Sequence, residues 1–413
     1  MPYKVLIVDD SSFFQRRLNE IIGEHPELTV VGTAKNGREA IEKSLVLLPD
    51  IITMDYEMPV LDGVSAVREI FAKQGLPILM FSSLTSEGAR ITLEALDAGA
   101  VDFIAKDFSE ISHNAEAVKK SLQSRILKIV KNYRVRRVLP ASRKIIPSED
   151  QKKDTTLQNR FDRSVPDSAA PDLKVSDSVR SASAFDKSSS FTNTPADLLS
   201  LGLSTKKERA PQPYCRDKAV SSELRGTIRL LAIGASTGGP AALTDLLKKL
   251  PRNFSLPILL IQHMPSNFTE AFAERLNRIC HIEVRQAKDG DRLKPGLALL
   301  ALGGSQMILD PSERGVVRVI PGDNRVNYKP SVDITFASAA KVFGAKSLGI
   351  ILTGMGSDGC EGARLLKQSG AVIWSQDEKT SVVYGMPMAV AKENLTDCVM
   401  PLPMLGTKLA ELF

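Results

Sequence analysis

Two stretches of the chain alternate short apolar runs with amphipathic ones, and the stretch between them does neither. In the first, Val5-Leu6-Ile7-Val8 is an unbroken apolar run of strand length, and Phe13 to Ile22 has apolar residues at helical spacing. An unbroken run reads as a strand covered on both faces, whereas a period near 3.6 reads as a helix with one buried face. The same reading puts strands at Leu28–Val31, Ile51–Met54, Ile78–Phe81 and Val101–Ala105. Helices fall at Ala40–Leu48, Val64–Phe71, Ile91–Ala98 and about Ala115–Val130. Five strands alternating with five helices predict a doubly wound parallel α/β sheet over residues 1–133.

The rhythm resumes from about Thr227. Strands are expected at Ile228–Ile233, Ile258–Gln262, Ile282–Arg285, Leu297–Ala301, Leu348–Leu352 and Val372–Trp374. Helices are expected at Ala241–Leu250, Phe268–Ile279, Ile334–Phe343, Ala363–Gln368 and Met388–Glu393. Met307–Leu309 with Val316–Ile320 reads as an inserted β-hairpin. Residues 223–413 are therefore a second doubly wound, mainly parallel α/β domain. Between them, residues 134–222 read as a disordered, basic, serine-rich linker. Nine of the 27 residues from Ser164 to Ser190 are serine, too polar to offset chain entropy by burial. Its one apolar cluster, Leu198, Leu199, Leu201 and Leu203, reads as a transient helix without a partner, with a docking motif as the alternative.

Composition changes this picture in two places. The net charge of +6 arises within residues 134–220, where 17 basic residues face 11 acidic ones; the rest of the chain has 37 of each. The rest of the chain taken together is thus neutral, and nothing marks a nucleic-acid surface. Cys215, Cys280, Cys360 and Cys398 lack metal-ligand spacing and are expected as reduced thiols. The first apolar run is too short for a signal peptide and none reaches membrane-span length, so a soluble, cytoplasmic protein is expected. A monomer is expected separately, without a sequence feature that fixes it.

Candidate chemistry in the first domain is acidic. Asp9 and Asp10 follow the first strand and Asp55 the third. In the flavodoxin-like strand order these strands are neighbours, so the three carboxylates converge at one end of the sheet. Their mutual repulsion calls for a hard cation, and Mg²⁺ suits oxygen ligands. Ser82 after the fourth strand and Lys106 after the fifth reach the same end. The residues Val8-Asp9-Asp10-Ser11, Met54 to Pro59, Phe81-Ser82-Ser83, and Phe103 with Lys106 resemble the receiver domain of two-component response regulators. By that resemblance Asp55 is the phosphoacceptor and a histidine kinase the phosphodonor. Asp9, Asp10 and Asp55 bind Mg²⁺, Ser82 and Phe103 form the switch pair, and Lys106 meets the phosphoryl charge. Asp107 departs from the proline usual after that lysine.

In the second domain, Ile233-Gly234-Ala235-Ser236-Thr237-Gly238-Gly239-Pro240 ends a buried strand in a glycine turn, with a proline at the next helix start. Such a turn can lift a serine to the mouth of the sheet, or bind an anion without catalysis. His263 follows the next strand and shares its end layer with Ser236. Asp358 follows Leu348–Leu352 and could orient the imidazole, giving nucleophile, base and orienter from three strand ends. Asp333 is the rival orienter, though Pro330-Ser331-Val332-Asp333 looks like a helix start. The order Ser…His…Asp excludes the α/β-hydrolase order.

Together with Gln262-His263-Met264-Pro265, Thr353 to Gly359, Gln376-Asp377-Glu378 and Ser381 to Pro387, these motifs resemble the chemotaxis protein-glutamate methylesterase family. The resemblance implies Ser236 as nucleophile, His263 as general base and acid, and Asp358 as orienting carboxylate. Met355, Thr237, Gly238 and Gly239 would support the oxyanion. It also implies a phosphorylation-activated esterase and glutamine deamidase acting on methyl-accepting chemoreceptors, with no cofactor for the ester chemistry. Leu302 and Gln306 stand where Pro and His are expected. The rival reading is an adaptor whose second domain binds a nucleotide or flavin without catalysis.

Overall fold

The computed structural model describes residues 1–83, 85–106, 115–138, 214–216, 222–323 and 325–413. In the first domain, strands β1 (Tyr3–Val8), β2 (Leu28–Ala34), β3 (Ile51–Asp55), β4 (Ile78–Ser82) and β5 (Asp102–Ala105) form a parallel sheet in the order β2-β1-β3-β4-β5. Helices α1 (Ser12–Gly23), α2 (Gly37–Leu47), α3 (Gly63–Gln74), α4 (Ser86–Ala98) and α5 (Ala115–Val138) alternate with the strands. Four of the helices start on a Ser, Asn, Asp or Thr whose side chain accepts the N–H three residues on: Ser11, Asn36, Asp62 and Thr85. Each such cap satisfies a donor that has no partner within its helix.

The second domain has an eight-stranded sheet. Its strands are β6 (Tyr214–Cys215), β7 (Leu230–Ala235), β8 (Ile258–Gln262), β9 (Glu283–Gln286), β10 (Leu297–Leu300), β13 (Ser347–Ile351), β14 (Val372–Gln376) and β15 (Cys398–Met400). They lie in the order β6-β15-β14-β13-β7-β8-β10-β9, parallel except for β6. The expected hairpin is present as β11 (Ser305–Leu309) with β12 (Val317–Pro321). Helices α6 (Glu223–Thr227), α7 (Gly239–Leu247), α8 (Ser266–Ile279), α9 (Val332–Val342), α10 (Cys360–Gln368), α11 (Met386–Lys392) and α12 (Leu402–Leu412) complete the domain. Every residue of β7 is buried, as its unbroken apolar sequence requires for a central parallel strand. The chain leaves β7 for β8 on one side, while β13 lies on the other. The carboxyl end of β7 is therefore a switch point, where open α/β sheets form their ligand crevice.

The structure corrects the sequence reading at four points. Helix α5 runs to Val138, beyond the expected boundary at 133. Tyr214–Cys215, expected within the linker, forms the edge strand β6 and pairs with β15. Cys215 and Cys398, expected as thiols, are joined as a disulfide across that pairing; Cys280 and Cys360 are free. A two-residue strand offers no hydrophobic period, and a pairing 183 residues apart leaves no local spacing to read. The sequence pattern also gives no sign of β15 or α12: β15 has three residues, and Pro401 and Pro403 flank the first residue of α12. The Leu198–Leu203 cluster, Asp107 and the central linker lie outside the described residues.

Candidate active site

Ser236, His263 and Asp358 follow β7, β8 and β13, three adjacent strands, and so meet at one end of the sheet. The turn after β7 is tied down on both sides. Ser236 N donates to Thr353 O at 3.0 Å, Thr353 Oγ1 donates to Thr237 O at 2.9 Å, and Gln262 Nε2 donates to Ser236 O at 3.0 Å. Gly238 has φ +74°, left-handed backbone that favours glycine. Gly354, after β13, passes so close that a Cβ there would lie 2.8 Å from Ser236 Cβ. Thr237 Oγ1 is buried and, with the Gly238 N–H, faces the Asp102 carboxyl of the first domain.

His263 Nε2 lies 2.7 Å from Asp358 Oδ2. A carboxylate only accepts, so Nε2 is the donor of this bond, and in the neutral imidazole Nδ1 then keeps its lone pair. Nδ1 is buried and has no hydrogen-bond partner among the described residues. The His263 ring stacks on Tyr328, with centroids 4.2 Å apart and an interplanar angle of 10°.

Asp358 sits against the N-terminus of α9. Its Oδ1 accepts from Ser331 Oγ at 2.8 Å and Asp333 N at 3.1 Å, and its Oδ2 from Val332 N at 2.7 Å. Burial pushes its pKa up, but the His263 imidazole and these N–H donors outweigh burial and hold the carboxyl below its ordinary value. Asp333, the rival orienter, instead serves the start of α10, accepting from Gly359 N at 2.9 Å and Gly362 N at 2.7 Å. Burial and the neighbouring Asp358 push its pKa up.

Sequence reasoning missed the residues that hold this group in place. Gln306, read only as a departure, is buried; its Nε2 donates to Tyr328 O and its Oε1 accepts from Ser331 N, both at 2.8 Å. Gln262 also binds His263 O at 3.0 Å, so one amide holds the turns after β7 and β8 together. The Gln-His pair at the end of an apolar run was the available signal for Gln262; Gln306 gave none.

In the first domain Asp9, Asp10 and Asp55 present oxygens all within 4.8 Å of one another. Lys106 Nζ bridges Asp9 Oδ2 and Asp55 Oδ2 at 2.8 Å each. Burial pushes the Asp55 carboxyl up to about 6, against the pull of that ammonium. Ser82 reaches the same strand end, but its hydroxyl accepts from Thr92 Oγ1 at 2.6 Å and donates towards Gly88 O at 3.2 Å. Phe103 is buried and stacks on Phe268 of the second domain, with centroids 4.5 Å apart and an interplanar angle of 17°.

That stack belongs to an extensive contact between the two domains. Helix α4 packs on α8, Arg275 of α8 pairs with Asp97 of α4, and Asn132 Nδ2 donates to Ser381 O at 2.5 Å and Val382 O at 2.9 Å. Met355, Val382 and Val383 pack into the same hydrophobic cluster as α1 and α5. Ser236, Thr237 and His263 consequently open into a cavity of about 540 Å³ whose other wall includes Asp102, Phe103 and Arg125. Asp102 is fully buried there; burial pushes its pKa up, and Arg125, 3.5 Å away, pulls it down.

The two domains match known families separately. Residues 231–409 match the family described as CheB methylesterase, and residues 5–117 match the response regulator receiver domain. Over 410 residues, 99 % of each chain, the protein is 48 % identical to protein-glutamate methylesterase/protein-glutamine glutaminase 1 of Saccharophagus degradans. Its identity to the like-named protein of Pseudomonas aeruginosa is 48 % over 411 residues, covering 100 % of this chain and 99 % of that one. Among solved structures it is similar to the CheB methylesterase catalytic domain of Thermotoga maritima, at 38 % identity and a TM-score of 0.43. That match covers 45 % of this chain and 99 % of the other.

Proposed function

Because the chain belongs to the family of CheB methylesterases that carry a response-regulator receiver domain, we propose that it hydrolyses glutamyl methyl esters on chemoreceptors in chemotaxis adaptation. The same acyl transfer, with ammonia in place of methanol, deamidates receptor glutamines. The observation that carries the site assignment is the His263 ring, with its Nε2 on Asp358 and its Nδ1 buried and unpartnered in the cavity that holds Ser236.

Each step follows from that geometry. Nδ1 takes the Ser236 proton as Oγ attacks the ester carbonyl carbon, and Asp358 steadies the imidazolium that forms. The carbonyl oxygen, now an anion, is met by the Met355 N–H and by the Thr237–Gly239 turn at the start of α7, including the Thr237 hydroxyl. Collapse breaks the C–O bond, and Nδ1–H protonates the departing methoxide to methanol. Water, deprotonated by Nδ1, then attacks the acyl-serine and releases glutamate and Ser236. Relative to the familiar serine-protease arrangement the two ring nitrogens exchange roles, since Nε2 rather than Nδ1 faces the carboxylate.

Control comes from the first domain. Receiver domains use Mg²⁺ for phosphorylation, and the three clustered carboxylates with a single ammonium leave the negative charge such an ion requires. Asp9, Asp10 and Asp55 would hold such an ion, which would supply charge neutralisation for an anionic phosphodonor. Asp55 accepts the phosphoryl group from a histidine kinase in the cytoplasm, and Lys106 meets its added charge. The receiver wall of the Ser236 cavity then withdraws, parting the Phe103–Phe268 stack that holds β5 against α8. A nucleotide- or flavin-binding adaptor is not favoured, since the full-length relatives are named as enzymes.

The test is covalent labelling with a serine-directed fluorophosphonate. We expect a single adduct on the Ser236 peptide, forming faster after acetyl phosphate treatment and not forming in His263→Ala. Labelling of another serine, or undiminished labelling in His263→Ala, contradicts the assignment.

A further inference from the structure

We propose that Tyr328, held in place by Gln306, is a positioning residue for the catalytic imidazole. This rests on the reading of His263 as the general base and adds a residue that none of the motifs implies.

The contacts form one connected unit. The Tyr328 ring lies flat against the His263 ring, at 4.2 Å and 10°. The opposite end of the side chain reaches the loop after β13: a Cβ on Gly356 would lie 2.7 Å from the Tyr328 hydroxyl. Tyr328 thus spans the base and the loop that carries Met355. Its own backbone is fixed by Gln306, whose amide donates to Tyr328 O and accepts from Ser331 N, each at 2.8 Å. Ser331 Oγ in turn donates to Asp358 Oδ1 at 2.8 Å. One buried amide therefore sets both the ring that stacks on the base and the hydroxyl that binds its orienting carboxylate.

Among the described residues the His263 ring makes one hydrogen bond, that to Asp358. With Nδ1 left free for Ser236, rotation about the Cβ–Cγ bond is opposed by the Asp358 bond and by whatever packs on the ring face. A stacked aromatic ring supplies that packing, and its π face also favours the imidazolium formed at each proton transfer. Misplacement of a reacting group by about 1 Å can cost on the order of a hundredfold in rate, so loss of the ring should act on turnover. Tyr328 also lines the Ser236 cavity, but a positioning role acts through the base, so the loss should fall on kcat rather than KM.

The experiment uses the full chain activated with acetyl phosphate. It measures kcat and KM on methyl-labelled receptor membranes, the rate of inactivation by a fluorophosphonate, and the thermal midpoint. Tyr328→Leu should lower kcat and the inactivation rate roughly ten- to a hundredfold with KM little changed; Tyr328→Phe, which keeps the ring, should recover most of the loss. Gln306→Leu should lower both rates roughly tenfold. Gln306→His should restore them, because a neutral imidazole also offers one donor and one acceptor. The Gln306 pair carries the test independently should Tyr328→Leu fail to fold. Wild-type rates in Tyr328→Leu or Gln306→Leu, a loss in KM alone, or no rescue by Phe and His would overturn the proposal while an inactive His263→Ala left the base reading intact. An active His263→Ala would overturn both.

Discussion

At the carboxyl end of the first sheet, Asp9 and Asp55 share the Lys106 ammonium, and Asp10 lies beside them. At the carboxyl end of the second, Asp358 has no lysine or arginine partner among the described residues. It is met by two backbone N–H groups at the start of α9, the Ser331 hydroxyl and the His263 imidazole. Both sites lie at the strand ends of doubly wound sheets, yet burial wins in one and loses in the other. Asp55 is pushed up to about 6 despite Lys106, while Asp358 is held below its ordinary value despite being buried. Helix N-termini are fixed dipoles that need no ligand, whereas a carboxylate cluster stays electrostatically incomplete until a cation or phosphoryl group joins it. The first site is therefore suited to receive a signal. On the proposed reading the second, with its base already oriented, is limited by access, since the first domain forms a wall of its cavity.

This contrast breaks first at the second site. Ser236→Ala and His263→Ala should each lower turnover by roughly 10⁴–10⁶, and the double variant scarcely further, because the residues act as a unit. Losses that multiply in the double variant, measured by initial rates, would falsify the shared role. Asp358→Asn should cost roughly 10³–10⁴, mostly in kcat, through loss of the imidazole tautomer that the carboxylate selects. A loss below tenfold would mean that Ser331 and the α9 N-terminus orient His263 without it.

Smaller effects test the first site and the contact between domains. Asp55→Asn should remove all stimulation by acetyl phosphate while basal release continues; stimulation that persists would move the phosphoacceptor elsewhere. Phe268→Ala, which removes the ring beneath Phe103, should raise basal activity roughly two- to tenfold, the equivalent of about 0.5–1.5 kcal/mol of stacking. Unchanged basal activity there would show that α4–α8 packing and the Asn132 bonds hold the domains closed without the stack.

How far the sequence disclosed all this depends on range. The ten strands and helices of the first domain follow from local period, as do β7, β8 and β13, so the apolar pattern alone puts Ser236, His263 and Asp358 at the ends of strands. Asp333 reads as a helix-start residue for the same reason, and it does lie in the first turn of α9. What resists reading is long-range or lacks a period. Gln306 meets Tyr328 22 residues away and Ser331 25 away, with no motif connecting them. Phe268 looks like one more apolar residue of an amphipathic helix, and nothing local shows that a receiver ring lies on it. The Cys215–Cys398 pairing and the two-residue strand β6 depend on a sheet edge that forms only when the ends of the second domain meet.

The central claim is that phosphorylation of Asp55 controls a serine hydrolase at Ser236. Methanol release from methyl-labelled receptor membranes, followed with and without acetyl phosphate in wild type, Asp55→Asn and Ser236→Ala, tests it most directly. The account predicts slow release from wild type that rises with the phosphodonor, release from Asp55→Asn that does not rise, and none above background from Ser236→Ala in either condition. Release from Ser236→Ala at the wild-type rate, or equal stimulation of wild type and Asp55→Asn, would contradict it.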